Sequence, residues 1–209
     1  MLGALLALAV PLAVFALVFY LYRSGKRMQA QLEADFRALA TRLGLEARIG
    51  PETDAFSAAG TTRGVPLTIE VGRAAVRSSS QNATKQEARI RGRTQVARPT
   101  TIVLRRIDGP SPDAFAELRE VTTHDAPFDA QFRTLVSDEE ATRSLLDEPT
   151  RARLLAIGGR RNIAMQLAQF RCGREEVAVT LDGVMLADVT LLERAVELVL
   201  ALSGADAYR

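Results

Sequence analysis

The chain has 209 residues, of which 47% are hydrophobic, and a formal net charge of +2. Without its first 22 residues it would still have 187, enough for one domain with a real core or for two small ones. It contains one cysteine and one histidine, which excludes an intramolecular disulfide and a structural zinc site.

The charge is unevenly distributed. Residues 73–106 include nine basic residues and one acidic residue, whereas residues 110–209 include eleven basic and seventeen acidic residues. A basic middle and an acidic C-terminal half can face different partners, or they can attract each other within one fold.

The first element is the uncharged apolar stretch from Leu2 to Tyr22. About 20 apolar residues in a helix span the roughly 30 Å hydrocarbon core of a bilayer, so residues 1–22 are predicted to be a transmembrane anchor. A cleaved secretory signal is the alternative. It is disfavoured because no basic residue precedes the apolar run, and because the run is longer than a signal core.

Three basic residues, Arg23, Lys26 and Arg27, follow this stretch directly, and none precedes it. The positive-inside rule therefore predicts a cytoplasmic C-terminal domain. The single Cys172 agrees with a reducing compartment.

Residues 23–44 are predicted to form a juxtamembrane amphipathic helix, and residues 45–209 a soluble domain. Met28, Phe36 and Leu43 belong to an apolar stripe at helical spacing, and Gly44 suits the position just past a helix end. The stripe either faces lipid or a partner, or packs onto the domain core.

The next elements are predicted to be strands. Val65 to Val71 alternates apolar and other residues, 78–86 has the composition of a loop, and Thr101 to Ile107 is a further strand. Between them, Arg89 to Val96 is predicted to be a strand. Because successive strand side chains point to opposite faces, Arg89, Arg91 and Arg93 are expected on one face.

The middle of the chain is predicted to alternate helices and strands. Ser111-Pro112-Asp113 is typical of a helix start, for a helix ending near Val121. Gln131 to Val136 is predicted to be a strand. Ser137 and Glu140 have the spacing of a capping box, which predicts a helix ending before Pro149. A further helix should end at Gly158-Gly159.

The C-terminal part is predicted to be a hairpin and a helix. Its strands contain Leu167 and Val179, with a turn at Cys172-Gly173 and another at Asp182-Gly183. Asp188 can cap the last helix, which Gly204 ends. Together these elements predict an α+β fold in which a mainly antiparallel sheet is covered by helices on one side.

The sequence suggests no catalytic residue, no cofactor and no metal ligand. His124, the only histidine, lies among turn-forming residues, which favours a loop residue over a catalytic base. Asp138, Glu139 and Glu140 could hold a hard cation, but helix capping explains them without a metal.

The most suggestive feature is the group of basic residues around Arg89, Arg91, Arg93 and Arg98. It is interpreted either as a contact for anionic lipid headgroups or an acidic partner, or as a solvated strand face that discourages aggregation. Nucleic acid is disfavoured, because this segment has almost no aromatic residues for stacking bases.

Residues 100–202 resemble uncharacterised bacterial proteins that join a membrane segment to an α+β domain of unknown function. The resemblance lies in Phe128-Asp129-x-x-Phe132, Ser137-Asp138-Glu139, Leu145-Leu146 and Leu154-Leu155. It implies a bacterial cell membrane and no established activity. The sequence thus predicts a single-pass, non-enzymatic domain that contacts a protein partner or an anionic membrane surface. The alternatives are a membrane-tethered hydrolase built around His124 and a lipid-binding domain.

Overall fold

The computed structural model describes residues 23–24, 26–27, 29–50, 55–75, 84–94, 100–106, 115, 117–158, 166–183 and 189–204. Within them nine strands form one sheet in the order β1-β2-β3-β4-β9-β8-β5-β7-β6, and each neighbouring pair is antiparallel. The predicted α+β class is confirmed. The strands are β1 (Leu45–Ile49), β2 (Phe56–Thr62), β3 (Val65–Ala75), β4 (Thr84–Arg93), β5 (Ile102–Arg106), β6 (Arg119–Val121), β7 (Phe132–Val136), β8 (Gln166–Cys172) and β9 (Glu176–Gly183). The helices are α1 (29–42), α2 (Ala126–Asp129), α3 (Glu139–Leu145), α4 (Glu148–Gly158) and α5 (Val189–Ser203).

Strand alternation decides which side chains form the core. In β3 every second residue from Val65 to Val71 is buried, while Pro66, Thr68 and Glu70 are exposed. Each large apolar side chain that is fully buried contributes about 1.5–3 kcal/mol relative to an exposed one. The same alternation in the neighbouring strands buries Ala88, Ile90, Leu167, Phe170, Val177, Val179 and Leu181.

The helices cover one face of the sheet. α5 crosses β4 at Gly92, where an added Cβ would lie 2.5 Å from Val199 Cγ1. α4 contacts both α5 and β8. α1 lies over the other end of this face, with the rings of Phe36 and Phe56 5.5 Å apart. This arrangement agrees with the predicted one-sided cover.

The predicted juxtamembrane helix is helical at every described position from 29 to 42. Its apolar stripe packs onto the domain core, since Phe36, Leu39 and Ala40 are buried within the core cluster. Gly44 follows with a φ of +69°, a left-handed conformation that glycine adopts without steric cost.

One predicted helix is partly wrong. Residues 111–114 lie outside the described part of the chain, but Arg119–Val121, expected in the last turn of that helix, form the edge strand β6. In β6, Arg119 pairs with Val136 and Val121 with Thr134 of β7. Pairing with a strand distant from the local pattern overrides the helix signal.

The predicted cap of α3 is displaced by one residue. Asp138 is the N-cap, and its Oδ1 accepts from Glu140 N at 3.0 Å and from Ala141 N at 3.1 Å. Ser137 Oγ instead accepts from Thr101 N at 2.8 Å. Because the Ser137 hydroxyl is occupied by this hydrogen bond from the segment that enters β5, the helix begins one position later than the capping-box spacing indicated.

Two predicted loop segments belong to strands. Residues 84–86, expected in a loop, begin β4, and Asp182-Gly183, expected in a turn, end β9. Both corrections have one cause, because these ends pair with each other: Gly183 lies opposite Gln86 and Asp182 opposite Glu87.

The predicted anchor from Leu2 to Tyr22 lies outside the described residues, as do Arg98 and Asp188. None of the helices in the described part of the chain has the length and apolar character needed to cross a membrane.

Candidate binding surface

The sheet has a second face, opposite the helices, which we call the open face. Its side chains alternate with the core residues and are mostly exposed or half-buried, with Val103 of β5 as a fully buried exception. Strand register aligns them in rows across the whole sheet. One row contains Arg48, Ser57, Glu70, Arg89, Thr180, Gln169, Arg105 and Arg133, and the next contains Glu46, Ala59, Thr68, Arg91, Ala178, Arg171, Val103, Leu135 and Glu120.

The β4 arginine stripe, consisting of Arg89, Arg91 and Arg93, lies on the open face. The shared face expected from strand alternation is therefore present. The structure also reveals carboxylate partners. Arg89 Nε donates to Glu87 Oε1, and Arg91 Nη2 lies 3.5 Å from Glu70 Oε2.

Arg93 lies opposite Glu176 of β9 in register. Acidic side chains thus compensate much of the charge of the β4 stripe, and exposed pairs of this kind contribute roughly 0–1 kcal/mol each. The role of the stripe as a membrane or partner contact stays a prediction.

The basic residues predicted to flank the anchor, Arg23, Lys26 and Arg27, are helical and exposed. Their role as the flank of a membrane span stays a prediction.

A second group of arginines, Arg105, Arg133 and Arg171, is not recognisable as a group in the sequence. We call it the cationic cluster. The residues lie on β5, β7 and β8, and β5 is hydrogen-bonded to both of the others. Burial, and then the positive charge of Arg133, lower the pKa of Arg105 from its ordinary value. Each arginine lies next to buried residues on its strand. This alternation, which indicates an outward-facing side chain, is the one sign of the cluster in the sequence.

A cleft surrounds His124, the residue on which a hydrolytic site would depend. It measures about 260 Å³ and is also lined by Glu139, Thr123 and Thr142. Thr123 Oγ1 donates to Asp129 Oδ1 at 2.9 Å, Thr142 Oγ1 donates to a backbone carbonyl, and Glu139 pairs with an arginine.

Among the described residues, no hydrogen bond joins the imidazole of His124 to the Thr123 or Thr142 hydroxyl. The backbone φ of His124, +61°, places it at a turn, in agreement with the loop interpretation.

Arg151 of α4 also lines this cleft. Its Nε donates to Asp125 Oδ2 at 2.9 Å, while Asp125 Oδ1 accepts from Phe128 N at 3.2 Å and caps α2. The hydrogen bond from Arg151 is the main reason that the pKa of Asp125 is lowered from its ordinary value. This ion pair attaches α4 to the start of α2, which is a structural role.

The remaining groups that could carry chemistry are the cysteine thiol and the side chains able to bind a metal. Cys172 is buried. Among the described residues there is no cluster of three or more His, Cys, Asp or Glu side chains that could hold a metal ion.

No family model and no curated protein matches this chain. Its fold is similar to that of the crystal structure of the mycobacterial trehalose monomycolate transport factor A, TtfA. The TM-score is 0.55 and the identity 10%, over 83% of this chain and 93% of that chain. At this identity the likeness establishes a shared fold and nothing further.

Proposed function

We propose that this chain is a single-pass, membrane-anchored, non-enzymatic domain of the bacterial cell membrane, with its C-terminal part in the cytoplasm. The proposal includes the suggested kinship with uncharacterised bacterial membrane-anchored α+β proteins. In this role the domain serves as an accessory module that contacts a protein partner or the anionic membrane surface through its open face.

The observation that carries the proposal is the asymmetry of the sheet. Helices bury one face, whereas the other presents arginines of β4, β5, β7 and β8 toward solvent. A surface without a deep, convergent set of polar groups suits binding better than catalysis. A cytoplasmic leaflet carries a negative potential that attracts basic residues near its surface.

Two further facts favour this proposal. The structurally similar TtfA is, by its name, a transport factor, which fits an accessory role, although only the fold is shared. A lipid-carrying cavity between the sheet and α5 is disfavoured at Gly92, where Val199 and Ser203 leave no space even for an added methyl group.

The anchor is tested by extracting bacterial membranes that contain the full chain with alkaline sodium carbonate, which removes peripheral proteins. The full chain should remain in the membrane pellet. A matched variant, Leu8→Arg with Val14→Arg, places charges in the predicted span, each costing about 2.5–3.5 kcal/mol at the bilayer centre, and should lose membrane insertion. Release of the unaltered chain by carbonate would contradict the proposal.

A further inference from the structure

The charge on the open face is divided between two halves of the sheet. The arginines of β1 and β4 pair with acidic residues of β1, β3 and β4, in Arg48–Glu46, Arg89–Glu87 and Arg91–Glu70. On β5, β7 and β8, by contrast, no arginine lies directly opposite an acidic residue in the described strands. The two halves therefore differ in net charge, although both lie on one continuous sheet.

Strand register holds the cationic cluster together. Arg105 of β5 lies directly opposite Arg133 of β7 on one side and Gln169 of β8 on the other. Arg171 lies opposite Val103, two positions along β5 from Arg105. Directly opposed residues have Cβ atoms about 4.5–5.5 Å apart and diagonal ones about 7–8 Å, so three guanidinium groups share one small area.

The described residues offer this cluster no compensating ion pair. None of Arg105, Arg133 and Arg171 hydrogen-bonds to, or forms a salt bridge with, a described carboxylate. The nearest acids in register are Glu120, opposite Leu135, and Glu176, opposite Arg93, each diagonal to the cluster. Like charges directly opposite in a sheet are destabilising, so the free domain bears a cost that an anion would relieve.

We propose that the cationic cluster docks the open face onto anionic phospholipid headgroups, so that the domain lies flat against the membrane that anchors it. Guanidinium groups bind phosphate with two parallel hydrogen bonds, and a flat array of them matches a flat array of headgroups better than it matches a single small anion. This inference rests on the proposed membrane anchor, which would hold the domain at a high effective concentration near the surface.

The size of the effect follows from the number of charges. Each basic residue near an anionic leaflet contributes a factor of about five to the docked population, so loss of all three arginines should lower the docked-to-free ratio about 100-fold. The effect should weaken as the salt concentration rises, because the Debye length falls from about 10 Å at 0.1 M to 3 Å at 1 M.

The test uses the full chain in vesicles of phosphatidylcholine, with or without phosphatidylglycerol. A donor fluorophore is attached at Thr68→Cys, an exposed position on the open face, while the native Cys172 is buried. Energy transfer to an acceptor dye in the bilayer then reports docking. We expect transfer to rise when phosphatidylglycerol is included and to fall in high salt.

The decisive comparison is between two triple variants that lose the same charge. Arg105→Gln with Arg133→Gln and Arg171→Gln should abolish the rise. The control variant carries Arg63→Gln, Arg153→Gln and Arg194→Gln. These three exposed arginines lie together beside α5, on the helix side of the sheet, and their loss should leave the rise in place. Thermal melts of all three proteins check that each remains folded. Equal docking by the two variants, or no rise with the unaltered chain, would overturn the inference.

Two controls distinguish membrane docking by the cationic cluster from binding of a soluble phosphate compound and from failure of the proposed anchor. Inorganic phosphate that abolishes transfer when sodium chloride of the same ionic strength does not would assign the cluster to a soluble phosphate compound and overturn membrane docking. Flotation of the vesicles is measured first. A chain that floats but does not dock contradicts only this inference, whereas a chain that does not float contradicts the proposed anchor as well.

Discussion

At the scale of single residues, two positions explain how the helices are fixed over the sheet. Gly92 has no side chain because α5 passes directly above it, with Val199 and Ser203 within reach of an added Cβ. Asp125 accepts hydrogen bonds both from Arg151 of α4 and from the backbone that starts α2. Neither role is visible in the sequence, since each depends on a neighbour distant along the chain.

The substitution Gly92→Ala should destabilise the fold by about 1–3 kcal/mol, because the new Cβ would lie 2.7 Å from Ser203 Oγ as well as 2.5 Å from Val199 Cγ1. Urea denaturation measures the change. Gly72→Ala is the matched control on β3, where nothing lies within 4 Å of the added atom. It should change stability by less than about 1 kcal/mol. Equal losses in the two variants would contradict the close approach of α5.

The stability contributed by Asp125 should depend on pH. Its folded pKa is lowered, mainly by the hydrogen bond from Arg151, so its contribution is present above the unfolded value of about 3.9 and is lost as pH falls through the folded value. Asp125→Asn should therefore be less stable than the unaltered chain at pH 6, and this difference should shrink toward pH 2.

Urea midpoints across that range measure the effect. Glu120→Gln is the control, since the Glu120 side chain is exposed and hydrogen-bonds to no described residue. A difference between Asp125→Asn and the unaltered chain that stayed constant with pH would show that charge plays no part.

At the scale of elements, local sequence patterns predict most of the helices and strands but not all of their ends. β3 and α5 carry strong apolar periodicity, β5 begins with a short apolar run, and these elements and β7 lie close to their expected positions. The outer strands of the sheet are predicted less well. β6 was expected to be helical, and the edge strand β1 and its neighbour β2 were not expected, because such strands depend on their pairing partners more than on their own residues.

At the start of α3 the local sequence pattern and the observed structure disagree, since the pattern indicates Ser137 as the N-cap and the structure has Asp138 there. Asp138→Ala should cost about 1 kcal/mol, equivalent to a fall of about 2–4 °C in Tm, because two backbone N–H groups lose their acceptor. Glu140→Ala should change stability by less than about 0.5 kcal/mol, since this side chain completes no capping box here. Calorimetry on both variants checks the assignment, and a larger loss for Glu140→Ala would restore the Ser137–Glu140 box.

At the scale of the whole molecule, fold class was predictable and topology was not. Alternation and helix caps indicated an antiparallel sheet with helices on one side. They could not reveal that β9 and β8 insert between β4 and β5. Such pairings join residues far apart in sequence and are set by packing of the complete core. The candidate surface also combines a feature of local sequence with a feature of topology. The β4 stripe lies on one strand and was predicted from its alternation. The cationic cluster depends on the strand order, because it forms only when β7 and β8 flank β5.

The central claim is that the domain is held on the cytoplasmic side of a bacterial membrane, where its open face can meet anionic headgroups. The most direct test is a reporter fused after Arg209 that is active on only one side of the membrane. Cytoplasmic activity is expected from the charges of Arg23, Lys26 and Arg27 that follow the predicted span. Periplasmic activity would contradict the claim, because it would place the domain on the side away from the cytoplasmic leaflet.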